Sequence, residues 1–374
     1  MRENSDAIAP YRKAAEPSGQ GIALALGDFS ATTGLSRAAA YELKRLRAAH
    51  PALEVIDLQD LTRRKASLVH QSGPDVGRLY LLSAPNTYAT LLSALPPERV
   101  AGARRTGLWV WETPIFPEDW RFALDVVHEI WTPSEYSRAA IASHADGVPV
   151  IVRPHYVTLT PHRAPFDRGR FGIPDGAFLG LAIMDLCSCP ARKNPWAHVA
   201  AWQAAFGADP QHRLLIKVRV SKRTRLVLDE LRAMIGAARN IQVFEQEMSA
   251  AEIAGLQAEA DVFLSLHRAE GYGLNIRECL EAGTEVIATH YSANAEYGPE
   301  YPNYHPLPFR LTPYRDWTGH YPDNRFTWAE VSIPAAAATL RACARQLRAG
   351  LPDPRPATRH ATAPIGPRMA GRHA

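Results

Sequence analysis

Glutamates, glycines and lysines carry the chemistry this sequence offers. Glu270 stands just before Gly271-Tyr272-Gly273-Leu274, and Glu278 follows eight positions after it. A carboxylate only accepts hydrogen bonds and can take two hydroxyl donors at once, which suits the vicinal diols of a sugar or ribose. Glycines at a helix start let backbone N–H groups approach phosphate oxygens. A surface helix with two solvated glutamates fits the same letters, and a Gly-x-Gly turn alone is a weak signal. Lys217 interrupts the apolar run 214–218, where a lysine needs a partner unless it snorkels to a sheet edge. Glu112 closes the aromatic run Leu108-Trp109-Val110-Trp111 just before a proline turn, which exposes an acid to whatever occupies a cleft.

These residues need elements to hold them. The apolar run 262–266 has strand length, and a helical pattern starts near Leu274 with Ile276, Leu280 and Ala282 in phase. Gly283 stops that helix, and 286–288 is a second short strand. Strand, glycine turn, helix and strand make half of a parallel α/β unit, whose ligands sit outside the carboxyl ends of the strands. Further strands are expected at 21–26, 53–58, 78–83, 148–152, 178–184, 214–218 and 241–244, with helices at 35–49, 196–206, 250–260 and 333–347. The loop 27–34 ends at Gly34; its spacing matches neither the dinucleotide fingerprint nor the phosphate loop with its lysine, and a plain tight turn reads equally well. Residues 1–20 read as a flexible arm and 153–170, rich in proline and charge, as a linker. The tail 350–374, with several prolines and arginines and no periodicity, is expected to be disordered. Two α/β domains follow, 21–155 and 171–333, with a final helix at 334–349.

Composition narrows the classes. At 374 residues each half can bury its own core, and 46% hydrophobic with 21% charged residues is the balance of a globular protein. A net charge of +4, partly from Arg355, Arg359, Arg368 and Arg372 in the tail, is too small to argue for nucleic acid. No apolar run reaches the ~20 residues of a membrane span. The N-terminus lacks the apolar core of a signal peptide. The chain therefore reads as cytoplasmic, peripheral at most to the inner membrane face. Cys187 and Cys189 are too close for an ordinary disulfide and lack a second pair for zinc, so reduced thiols and no metal are expected.

Glu270 to Glu278, followed by Glu281-Ala282-Gly283-Thr284 and Val286-Ile287-Ala288, resembles the signature of retaining family 4 (group 1) glycosyltransferases. Those enzymes carry two glutamates eight positions apart before a helix that ends in Gly-Thr. His267-Arg268 and Ser292-Ala293-Asn294 fit one branch of the family, as do Trp109-Val110-Trp111-Glu112 and Glu129-Ile130-Trp131. Arg192-Lys193-Asn194-Pro195 and Lys217 match a recurrent pair of cationic positions. Glu285 departs from the family's proline, and Glu112 stands where many relatives have a sugar-touching histidine nearby.

The resemblance implies a GT-B fold, two facing Rossmann-like domains with a C-terminal helix crossing back to the first. It implies metal-independent transfer of a hexosyl group, with retention, from a nucleotide-diphosphate sugar to a saccharide or lipid-linked acceptor, in bacterial surface polysaccharide or glycoconjugate synthesis. No cofactor is implied beyond that donor. Glu278 would hold the ribose and Glu270 the donor sugar. Arg192, Lys193 and Lys217 would hold the diphosphate beside Gly271, Tyr272, Gly273 and Leu274. Gly34 would face the donor; Glu112, by its own position at the carboxyl end of an apolar run, would face the acceptor. A sugar-nucleotide epimerase or phosphorylase of the same fold, and a catalytically silent binding subunit, are the alternatives.

Overall fold

The computed structural model describes residues 6–31, 33–63, 73–160, 163–316, 319–321 and 325–349, so the tail expected to be disordered lies outside the described residues. The chain divides into two compact units, Met1–Tyr156 and Val157–Ala374.

The first unit is a parallel sheet of β1 (Ile22–Gly27), β2 (Glu54–Asp57), β3 (Val76–Leu82), β4 (Arg104–Leu108), β5 (Glu129–Thr132) and β6 (Val150–Val152), in the order β2-β1-β3-β4-β5-β6. Helix α1 (Gly34–Ala49) follows β1, with Thr33 Oγ1 capping it by accepting from Ser36 N at 3.1 Å. Leu24 and Leu26 face one core layer and Ala25 the other, which explains why the run reads as uninterrupted apolar sequence. The tryptophans at 109, 111 and 120 pack edge to face around one another, so packing accounts for them.

The N-terminal segment expected to be a flexible arm is docked from residue 8 onward. Ile8 and Tyr11 are buried, and Tyr11 Oη donates to Leu95 O at 2.9 Å. The fully buried Arg105 guanidinium on β4 donates to Tyr11 O and Val100 O. An arginine in a strand core needs such acceptors, and the arm supplies one of them.

The second unit is a parallel sheet of β7 (Phe178–Asp185), β8 (His212–Arg219), β9 (Ile241–Phe244), β10 (Val262–Ser265), β11 (Glu285–Thr289) and β12 (Tyr304–Leu307), in the order β12-β11-β10-β7-β8-β9. An antiparallel hairpin follows, β13 (Phe309–Pro313) with β14 (Thr327–Val331). The strand order reverses between β7 and β10, the doubly wound arrangement whose ligand crevice lies at that reversal. Helices α2 (Pro190–Lys193) and α3 (Pro195–Phe206) follow β7, α4 (Ala250–Glu259) precedes β10, and α5 (Leu274–Glu281) joins β10 to β11.

One expectation changes here. The stretch expected as a linker is, from residue 157, part of the second unit. Ala164 lies against α4 so closely that a Cβ on Gly255 would sit 1.9 Å from Ala164 O, and Arg168 pairs with Glu259 at 2.8 Å. The last helix, α6 (Ile333–Arg348), packs on α3. Its narrow face of Ala336, Leu340, Cys343 and Ala344 is buried in the second unit's core, and Arg341 donates to Ala204 O at 3.0 Å. Glu285, the departure from the family's proline, ion-pairs with His305 on the neighbouring strand at 2.6 Å.

Candidate functional site

The loops after β7 and β10 flank the sheet's reversal point, and they carry the cations and carboxylate singled out in the sequence. Lys193 Nζ lies 2.5 Å from Glu270 Oε1, and Arg192 Nη1 lies 3.3 Å from Glu270 Oε2. Two cations against one carboxylate leave net positive charge at the crevice. Burial pushes the Glu270 carboxyl up, but Lys193, Arg192 and His267 outweigh it and hold the group down at about 2. Glu270 is therefore ionised at neutral pH.

The backbone around Glu270 is fixed from both sides. Glu270 N donates to Ser292 Oγ at 2.8 Å, and Ala293 N donates to Glu270 O. Ser292 makes this approach with φ at 64°, an unusual conformation for a residue with a side chain. Gly273 adopts φ 82° at the start of α5, and a Cβ there would stand 3.0 Å from Ile276 Cδ1. Tyr297 Oη donates to the carbonyls of Tyr272 and Gly273 at 2.8 and 3.1 Å, so the glycine turn is anchored from below. The N-cap of α5 is Gly273, which has no side chain to cap it, and the positive end of the helix dipole suits an anion.

The other expected residues fall in different places. Lys217 lies on β8, in register with Ile183 of β7, and burial lowers its ammonium pKa, with Glu247 and Asp185 opposing that effect. Among the described residues no carboxylate comes within ion-pair distance of it. Arg192 is only 1% exposed and spends its guanidinium on Ala269 O, Ser188 O and Ser188 Oγ as well as Glu270. It clamps the two loops rather than standing open. Glu278, on the second turn of α5, is 5% exposed and accepts from Gln257 of α4 at 3.1 Å. In the first unit, Gly34 opens α1 and Glu112 lies beyond β4, which stops at Leu108 rather than running to Trp111. There Trp111 and Ser137 side chains bond the backbone, and Glu112 is half-buried. No group of three or more metal-ligating side chains occurs among the described residues.

His198 escaped the sequence reading because a histidine inside an apolar helix reads as core. Its Nε2 accepts from Leu266 N at 3.1 Å and its Nδ1 donates to Asn194 O at 3.0 Å, tying α3 to the end of β10. That arrangement requires the neutral ring, and burial pulls its pKa from 6.5 to about 4. The unfolded chain therefore binds the extra proton between those values. Stability is complete above about pH 6.5 and is lost as pH falls towards 4, on the order of 3 kcal/mol from this residue. Melting temperature against pH checks this: His198→Asn should flatten, without abolishing, the slope across that window, since buried His155 acts in the same direction.

No protein-family model matches the sequence, and no curated protein matches it. Solved structures do. A glycosyltransferase from Rickettsia africae is 12% identical with a TM-score of 0.60, covering 87% of this chain and 89% of that one. Anabaena Alr3699/HepE in complex with UDP and glucose is 12% identical with a TM-score of 0.57, covering 87% and 91%. The fold is GT-B. Staphylococcus aureus TarM, in a complex that includes UDP, is also 12% identical with a TM-score of 0.51; the match covers 77% of this chain but spans only about half, 52%, of TarM.

Proposed function

We propose that this chain is a retaining glycosyltransferase that moves a hexosyl group from a nucleotide-diphosphate sugar to a saccharide or lipid-linked acceptor, without a metal, in surface polysaccharide or glycoconjugate synthesis. The observation that carries the reading is the meeting of Arg192, Lys193 and Glu270 beside the glycine N-cap of α5, at the reversal point of the second sheet. The family motif running through these residues supports it, as does a fold shared with structures that hold UDP.

In this reading the diphosphate lies between Lys193, Lys217 and the first-turn N–H groups of α5. Their charge counts most as the leaving group gains negative charge, so the cations favour the transition state over the ground state. Glu270 takes donor sugar hydroxyls, and Glu278 takes the ribose hydroxyls. The leaving phosphate accepts the acceptor's proton, and no strong protein base is needed. Incubating purified protein with nucleotide sugars and no acceptor tests the reaction class. Slow release of free sugar is the expected result; an epimerised nucleotide would assign an epimerase instead.

Glu112 is proposed to orient the acceptor hydroxyl from the first unit. Orientation accounts for several kcal/mol of many barriers. Glu112→Gln is therefore expected to lower turnover at saturating donor by about tenfold or more, with donor affinity and melting temperature unchanged. Unchanged turnover with a lowered melting point would make Glu112 a packing residue.

A further inference from the structure

The hairpin β13–β14 does not belong to either six-stranded sheet, yet it reaches the candidate site at several points. Glu330 on β14 accepts from Arg268 Nε at 2.9 Å and lies 2.7 Å from Arg268 Nη2. Its other oxygen accepts from Asn194 Nδ2 at 3.4 Å. The Trp328 ring lies 5.5 Å from the same guanidinium, and Ala329 N donates to Arg268 O at 3.0 Å. Farther along the connection, Asp316 accepts from Cys189 Sγ at 3.5 Å, at the residue that opens α2.

Arg268, held in this way, reaches across to the cationic loop. Its Nη1 donates to Ala191 O at 2.5 Å, and its backbone N donates to Arg192 O at 2.8 Å. Arg192 returns the contact through Ala269 O. The loops after β7 and β10 are thus cross-clamped by two arginines, one of them oriented by Glu330. Asn194, next to Lys193, closes α2 in the left-handed conformation that Asn adopts readily, its N donating to Pro190 O at 2.9 Å, so its side chain is the point at which Glu330 reaches the turn carrying Lys193.

We propose that Glu330 is a positioning residue for diphosphate binding. It holds Arg268 and Asn194 together and so fixes where Lys193 points. The inference rests on the function proposed above, because it assigns the anion at Lys193 to the diphosphate of a donor. Two effects oppose each other when the carboxylate is removed. Losing the brace loosens the site, whereas losing a negative charge beside it draws anions in. At hydrogen-bond range geometry governs: a cation misplaced by about an ångström forfeits much of a contact that screened charge cannot restore.

Calorimetry on the full chain, with inorganic pyrophosphate and separately with uncharged nucleosides, tests this with two variants. Glu330→Gln removes the charge, and Arg268→Lys keeps the charge but loses the fork. Both are expected to weaken pyrophosphate binding by about tenfold and leave nucleoside binding unchanged. Hydrogen exchange should rise over 188–194 and 267–271 and not elsewhere. Unchanged or tighter pyrophosphate binding in folded Glu330→Gln would make Glu330 a mere counter-charge and overturn the proposal. Should that variant fail to fold, unchanged binding in Arg268→Lys overturns it equally. A wild-type protein that binds neither pyrophosphate nor any nucleoside diphosphate defeats the functional reading itself, an outcome visible before any variant is made.

Discussion

Glu270→Gln is expected to lower turnover by at least about a hundredfold while leaving nucleoside diphosphate bound as tightly as before, or up to about tenfold more tightly. The two halves of this result have one cause. The carboxylate pairs with Lys193 and Arg192, so in the proposed function a diphosphate competes with it for the lysine. A neutral glutamine keeps the shape and drops the competition, which favours the free nucleotide. It also loses the charged acceptor for the donor sugar, which is felt in the reaction. Steady-state rates with calorimetry of the nucleoside diphosphate separate the effects. Parallel loss of rate and of nucleotide affinity would place Glu270 on the nucleotide and not on the sugar.

Lys217→Met should act in the opposite sense on binding. Lys217 is a cation held in a sheet, its charged form disfavoured by burial. Such a residue costs stability and is retained when a ligand needs it. The variant is expected to lose about tenfold to a hundredfold in affinity for nucleoside diphosphate, a charged hydrogen bond's worth, with nucleoside affinity unchanged. Its melting temperature should stay level or rise, because an unbranched apolar side chain replaces a partly desolvated ammonium. Equal losses for nucleoside and nucleoside diphosphate, or a fall in melting temperature, would mark Lys217 as structural.

Much of this arrangement was legible in the letters. The strands around the site are apolar on both faces, so they stand out as short unbroken runs, and Gly273 and Gly283 punctuate α5 where the backbone needs φ near 80°. Glu270, Lys193 and Arg192 could be named from the sequence, but not their mutual pairing, because 77 residues separate Lys193 from Glu270 and only the β7–β10 adjacency brings them together. The hairpin was invisible for a related reason: Glu330 and Asp316 have meaning only through Arg268 and Cys189, far away in the chain. The N-terminal arm misled because it is held by two isolated apolar side chains, Ile8 and Tyr11, and by bonds to backbone carbonyls, which make no periodic pattern. The last helix was legible from its apolar spacing, and its Ala336, Leu340, Cys343 and Ala344 are buried in the second unit's core.

The reversal point of the second sheet is expected to bind the diphosphate of a nucleotide sugar. The most direct measurement is a thermal-shift series on the wild-type chain with UDP-, GDP- and dTDP-sugars, each beside its nucleoside and with pyrophosphate as a common probe. A ligand that binds only the folded state raises the melting temperature. The expected result is a rise with pyrophosphate and with at least one nucleotide sugar, lost for pyrophosphate in Lys217→Met. No shift with any of them, or a shift that Lys217→Met leaves intact, would contradict the account.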